Sequence, residues 1–268
     1  MMRLAFIGFG EVGQTFAKGL AGNDGVEVAA YDLLFDNPQK RSGMLARAEA
    51  LGVKVAADAA DAARDARVVI SAVTAASAGE VAAAAAGYLA PGQIFFDINS
   101  ASPNTKRAAA GQVAASGADY VEGAVMAAVA GPGLKVAILA GGTAAQAAAD
   151  LLNPLGMSLK PVATEIGRAS ATKLSRSIVI KGIEAILVQC AVAARRWDVE
   201  ADVIASLEAT YPGIDWTSQV EYAAERVGKH GLRRSQEMRE AAAMVADLGL
   251  DPALCEGIAA VQEKGAKT

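Results

Sequence analysis

Histidine is almost missing from this chain: 268 residues hold a single one, His230. Cysteine is scarce as well, and Cys190 and Cys255 lie far apart with no CxxC or Cys/His spacing. A zinc site and a disulfide framework are therefore not expected, no metal is assigned, and reduced thiols in a cytoplasmic protein are the plain reading. Aromatics make up only 5% of residues against 53% hydrophobics, with alanine dominant, so close-packed helices are expected rather than an aromatic-rich β-sandwich. There is no basic surplus: the formal net charge is −4 and the pI about 5.2, which gives no electrostatic reason to expect nucleic acid as a partner. The N-terminus lacks a signal-peptide core, since only residues 4–7 are apolar between Arg3 and the first glycine. The most apolar later stretch, 178–194, carries Lys181, Glu184 and Gln189. It reads as a buried helix rather than a membrane span, which needs ~20 mostly apolar residues.

What is present is alternation. Short β-branched runs at 2–7, 26–31, 53–56, 68–73 and 94–98 are separated by helical stretches beginning near Glu11, Pro38, Asp58, Ser77 and Pro103. That is the pattern of an α/β domain, a doubly wound parallel sheet covered on both faces. Further strands are expected at 119–125, 136–140 and 158–162. After Thr164 no convincing strand remains, and four or five helices follow, the first over about 168–196. Turn signals at Tyr211-Pro212-Gly213, His230-Gly231 and Gly249-Leu250-Asp251-Pro252 separate the rest. The chain thus divides into a Rossmann domain over 1–164 and an all-helical domain over 165–268. The long helix is too apolar for one small domain to cover on every side, which predicts a homodimer.

The first strand runs into Gly8-Phe9-Gly10-Glu11-Val12-Gly13, and Asp32 closes the next strand about 20 residues on. A glycine triplet alone is a weak signal; strand before, helix after and acid at this distance make it a dinucleotide site. Gly8 allows the tight turn, Gly10 lets backbone approach the pyrophosphate, and Gly13 lets the helix pack on the strand. The helix N-terminus offers N–H groups and a positive dipole end to the phosphates. Asp32 would accept from the ribose hydroxyls and repel a 2′-phosphate, so NAD is favoured over NADP; Lys40 and Arg41 would admit NADP only if the loop folded back onto the phosphate. Val73 and Thr74, closing the fourth strand, are placed with the cofactor too.

Four stretches resemble the β-hydroxyacid dehydrogenases, the family of 3-hydroxyisobutyrate dehydrogenase, tartronate semialdehyde reductase and, more distantly, 6-phosphogluconate dehydrogenase. The glycine loop is one. Asp97-Ile98-Asn99-Ser100-Ala101-Ser102-Pro103 matches the family's D-x-[SN]-[ST]-x-x-P, a segment that there touches nicotinamide and substrate; the resemblance points to Asn99 and Ser100. Glu122-Gly123-Ala124-Val125-Met126-Ala127-Ala128 stands where the family has D-A-P-V-S-G-G, whose end binds the substrate carboxylate. With Met126 and Ala127 the hydroxyl is lost and the wall is more apolar, which favours a bulkier or less polar substrate. Gly167 to Ser177 aligns with G-x-G-x-x-x-K-x-x-x-N, with Ala169 for the second glycine and Ser177 for the asparagine, which in that family helps hold the substrate. Lys173 falls on the family's catalytic acid/base.

That role is chemically sound. Oxidising an alcohol removes its hydroxyl proton as hydride leaves for the nicotinamide, and a lysine can carry the proton if burial or a neighbouring cation lowers its pKa. Arg176 and Lys181 are candidate cations. Lys173, Ser177, Ile180 and Glu184 are expected on one helix stripe. His230 with Arg233 and Arg234 at a helix start would bind an anionic substrate group, against the plainer reading of a charged solvent face. Asp215 reads as a helix cap with Trp216 in a core. The expectation is a nicotinamide-dependent dehydrogenase of a small hydroxy or oxo compound, from a branch with a short helical C-terminal domain. Two rivals stand beside it: an imine reductase of the same architecture, which usually lacks the lysine, and a non-catalytic cofactor-binding sensor.

Overall fold

The computed structural model describes residues 1–265, which form two compact units that meet within one helix, between Lys173 and Leu174. The first unit alternates strand and helix: β1 (Met2–Ile7), α1 (Glu11–Ala21), β2 (Val26–Tyr31), α2 (Arg41–Ala50), β3 (Lys54–Val55), α3 (Ala59–Ala63), β4 (Val68–Ser71), α4 (Ala78–Ala85), β5 (Ile94–Asp97), α5 (Pro103–Ala114), β6 (Asp119–Val125), β7 (Ala137–Gly141), α6 (Ala145–Leu152) and β8 (Ser158–Ala163). The sheet order is β3-β2-β1-β4-β5-β6-β7-β8. Chain order reverses between β1 and β4, so the crevice beyond their C-terminal ends is the place where such sheets bind ligands. Apolar residues cover both faces: Leu4 and Phe6 lie in one core with Phe16 and Leu20 of α1, Ala5 and Val69 in another with Ala82 and Val113. Period-two alternation sends neighbouring strand residues to opposite cores.

Some details of this unit depart from the sequence reading. β7 pairs with β6 antiparallel, so the sheet is not wholly parallel. The link from residue 126 to 136 carries no crossover helix, and a parallel return needs one of a dozen or more residues. Helix α2 starts at Arg41 rather than near Pro38, because the Asn37 side chain accepts from the Gln39 and Lys40 N–H groups and holds a turn there.

The long helix α7 (Arg168–Arg196) begins in the first unit and continues into the second, which also holds α8 (Glu200–Thr210), α9 (Trp216–Asp247) and α10 (Ala253–Gly265). Asp215 caps α9 by accepting from the Ser218 N–H at 2.9 Å. The turn expected at His230-Gly231 does not exist; α9 runs through it, with Gly231 buried. By length and hydropathy α7 would pass for a membrane span, and 44% of its most apolar window is buried. Its buried stripe is Ser177, Lys181 and Glu184, not the stripe through Ile180, which is 38% exposed. Those polar groups are compensated within the helical unit: Lys181 pairs with Glu237 at 2.9 Å, and Glu184 with Arg234.

Candidate active site

The glycine loop sits at the end of β1 beside the end of β4. Gly8 has φ +97°, and a Cβ there would lie 2.4 Å from the Ala72 carbonyl oxygen and 2.9 Å from Val73. No side chain fits. Gly13 meets Gly8 in the same way, its Cβ position being 2.5 Å from the Gly8 carbonyl oxygen. Gly10 differs: no protein atom stands within 4 Å of its Cβ position, and no side chain caps α1 there. The loop is closed against the protein at Gly8 and Gly13 and open at Gly10, where a pyrophosphate would approach the first N–H groups of α1. These residues suit a dinucleotide.

Asp32 follows β2 and reaches across to this loop. One carboxylate oxygen accepts the Phe9 N–H at 2.6 Å and the other the Leu34 N–H at 2.8 Å. Each oxygen keeps a lone pair for a ribose hydroxyl. Phe9 itself contributes backbone only, since its ring is buried against Phe35. Glu11 is exposed and Val12 half-buried at the start of α1. Arg41 donates to the Phe35 carbonyl at 3.2 Å and Lys40 lies exposed. Val73 and Thr74 lie just past β4, which ends at Ser71 rather than Val73.

Beyond β5 the structure shows a network that sequence reasoning did not foresee. Asp97 is buried, and its Oδ1 accepts from Lys106 Nζ at 2.8 Å, from the Asn99 N–H at 2.9 Å and from Asn99 Nδ2 at 2.7 Å. Its Oδ2 accepts from the Tyr120 hydroxyl at 2.7 Å. Burial, then the Asp97 charge, pushes the Tyr120 phenol well above its ordinary pKa. Asn99 was expected to touch the cofactor. Instead its side chain is turned inward, donating to Asp97 and Ser71 and accepting the Val73 N–H at 2.7 Å. It fastens the loop after β5 to the loop after β4. Lysine at 106 looks in sequence like any solvated helix charge, and only the acid nine residues earlier hints otherwise.

Ser100 and Lys173 do come together: Lys173 Nζ hydrogen-bonds Ser100 Oγ. Both are half-buried. The serine stands on the loop after β5 and the lysine on the second turn of α7, at the sheet edge that carries the glycine loop. Met126 is half-buried past the end of β6, and its N–H is committed to the Ala137 carbonyl at 2.9 Å. Ala127 and Ala128 are exposed in the loop that follows.

Ser177, the counterpart of the family's asparagine, bonds two charged side chains. In the helical unit its hydroxyl donates to Glu237 at 2.5 Å and accepts from Lys181 at 3.2 Å. Burial lowers the Lys181 pKa, while the Glu237 charge opposes the shift. His230 and Arg233 are exposed in mid-helix of α9, so no helix N-terminus assists them in holding an anion. Arg234 is the buried member of that segment, turned onto Glu184. Among the described residues no three His, Cys, Asp or Glu side chains form a metal-binding group.

A glycine loop at a topological switch point, an acid closing β2 and a lysine–serine pair at the same sheet edge define a nicotinamide dinucleotide-binding protein. Residues 3–164 match the NAD binding domain of 6-phosphogluconate dehydrogenase, and the chain belongs to that family. Residues 193–265 match a domain of unknown function. A conserved hypothetical protein from Sinorhizobium meliloti shares 40% identity, with 100% of this chain and 89% of that one covered at a TM-score of 0.82. A conserved protein described as structurally similar to 3-hydroxyacid dehydrogenases shares 32% identity over 99% of this chain and 97% of its own, at 0.76. The Mycobacterium tuberculosis 3-hydroxyisobutyrate dehydrogenase, solved with L-serine, has the same fold at 21% identity, covering 100% and 94% of the two chains at a TM-score of 0.76. The family suggested by the motifs is the one these comparisons return.

Proposed function

We propose that this protein is an NAD-dependent dehydrogenase or reductase of a small hydroxy or oxo compound, with Lys173 as the proton carrier. The observation that carries the reading is the bond between Lys173 and Ser100 at the sheet edge that bears the glycine loop. The nicotinamide, when bound, supplies or accepts the hydride. The chain's part is to seat the dinucleotide on Gly8–Gly13, to select its ribose with Asp32, and to hold Lys173 against Ser100. The serine hydroxyl lies within bonding reach of the lysine, so a substrate oxygen placed beside both exchanges its proton with Nζ and hydrogen-bonds Oγ. Asp32 supports NAD over NADP, because a 2′-phosphate would sit against a carboxylate that already anchors two backbone N–H groups. Met126 and Ala127 support a substrate with an apolar part. The test is a panel of hydroxyacids, hydroxyamino acids and cyclic imines with both cofactors, followed by reduced-nicotinamide absorbance. Turnover of a hydroxyacid with NAD is expected; turnover of imines alone with NADPH would replace this reading.

We also infer a homodimer. Val179, Ile183 and Ile186 are exposed on α7, opposite its buried polar stripe, and a second copy is the partner that would cover them. Sedimentation at micromolar concentration should give a dimer; a monomer would refute this.

A further inference from the structure

Two buried carboxylates face each other on neighbouring strands, one at the end of β5 and one within β6. Asp97 of β5 and Glu122 of β6 are register partners. Asp97 fastens the loop that carries Ser100, as described above. Glu122, fully buried, does the corresponding work for α7. Its Oε1 accepts the Gly167 N–H at 2.7 Å and the Ala169 N–H at 2.9 Å. Its Oε2 accepts the Ser170 N–H at 3.3 Å and the Ser170 hydroxyl at 2.8 Å. The first N–H groups of a helix have no partner within it, and a carboxylate beneath them satisfies both their hydrogen bonding and the positive end of the dipole. Lys173 follows Ser170 by one helical turn.

Room for this carboxylate is built into the sheet. Gly141 of β7 is the register partner of Glu122, and a Cβ there would lie 2.5 Å from Oε1 and 3.0 Å from Cγ. An uncompensated buried carboxylate is expensive, and four donors from one short stretch of chain compensate this one. None of them comes from anything but the start of α7. The carboxylate therefore fixes the position and phase of the turn from which Lys173 projects.

We propose that Glu122 is a positioning residue for Lys173, setting the first turns of α7 so that Nζ meets Ser100; this rests on the reading of Lys173 as the proton carrier. The residue does not touch the reacting atoms and acts through the helix alone.

The experiment uses the full chain with NADH bound and compares wild type with Glu122→Gln and Ser170→Ala. Amide exchange over 167–173 and acetylation of each lysine by acetic anhydride are read by mass spectrometry, with buried Lys106 as internal reference. In Glu122→Gln, both exchange and Lys173 acetylation should rise roughly two- to thirtyfold, the range for a lost helix cap, while Lys106 stays constant. Ser170→Ala, which removes one of the four bonds, should move both in the same direction by less. On whichever substrate is turned over, kcat should fall in Glu122→Gln while KM for NADH holds. Unchanged Lys173 acetylation in folded Glu122→Gln overturns the proposal. So does Lys106 rising in step with Lys173, which would mean loss of the fold rather than of placement. Should Glu122→Gln not fold, Ser170→Ala decides by the same two labels. Labelling needs no turnover, so it separates a failure of this proposal from a failure of Lys173 as proton carrier, which full activity of Lys173→Ala would reveal.

Discussion

Replacing Lys106 with methionine keeps an unbranched apolar stem and removes one charge from a closed pair. Both side chains of the Lys106–Asp97 pair are 1% exposed, and Nζ also donates to the Asp97 carbonyl oxygen at 2.9 Å. Breaking a buried pair by deleting one partner costs ~3–5 kcal/mol, mostly because the other charge stays buried without it. Asp97 would keep three donors, two from Asn99 and one from Tyr120, so the lower end, ~3 kcal/mol, is expected here. Against a total of ~5–15 kcal/mol that is a large loss. With a urea m-value of ~3 kcal/mol/M the unfolding midpoint should drop by ~1 M, read by circular dichroism. Adding Asp97→Asn to Lys106→Met removes the orphaned charge and should restore most of the midpoint. A Lys106→Met midpoint within ~0.2 M of wild type would refute the reasoning, because it would mean that the Asn99 and Tyr120 bonds alone hold Asp97.

Other outcomes follow from the same geometry. Asp32→Ala should weaken NADH binding by roughly ten- to a hundredfold, the value of a hydrogen bond to a charged group, and relax discrimination against NADPH; tighter NADPH than NADH binding in wild type would count against the ribose assignment. Tyr120 holds its proton more tightly folded than unfolded, so its contribution is complete below pH 10 and is lost as pH rises beyond it. Tyr120→Phe should therefore cost ~1–3 kcal/mol at pH 7 and flatten the alkaline fall in stability, measured by urea midpoints at stepped pH. An alkaline limb as steep in Tyr120→Phe as in wild type would place its source elsewhere.

The fold was largely legible in the sequence because each strand carries its own signal. A mostly apolar run followed by glycine or aspartate reads the same before and after folding, as at β1 and β2. The reversed strand β7 was legible in principle, since 126–136 is too short and irregular for a crossover helix. His230-Gly231 misled because glycine weakens a helix locally, whereas Arg234 and Met238 are buried on α9 around it, and tertiary packing overrides a propensity of ~1 kcal/mol. Of the candidate site, the glycine loop stood out by its spacing between strand, helix and acid, and Lys173 by its place in a family motif. Asp97, Lys106 and Glu122 were not read as a scaffold. Glu122 meets its partners 45 to 48 residues away, and no periodicity records a contact of that range. Asn99 shows the converse: a motif residue identified by resemblance is, in this chain, the rivet between two loops.

The central claim is that cofactor binding and proton transfer reside in separate residues of one sheet edge. Lys173→Ala tests it most directly, with NADH affinity measured by fluorescence titration and kcat measured on the best substrate of the panel. The account predicts an NADH Kd within about twofold of wild type and a kcat lower by ~10²–10⁴-fold, the usual contribution of a positioned acid or base. Wild-type turnover in that variant would contradict it.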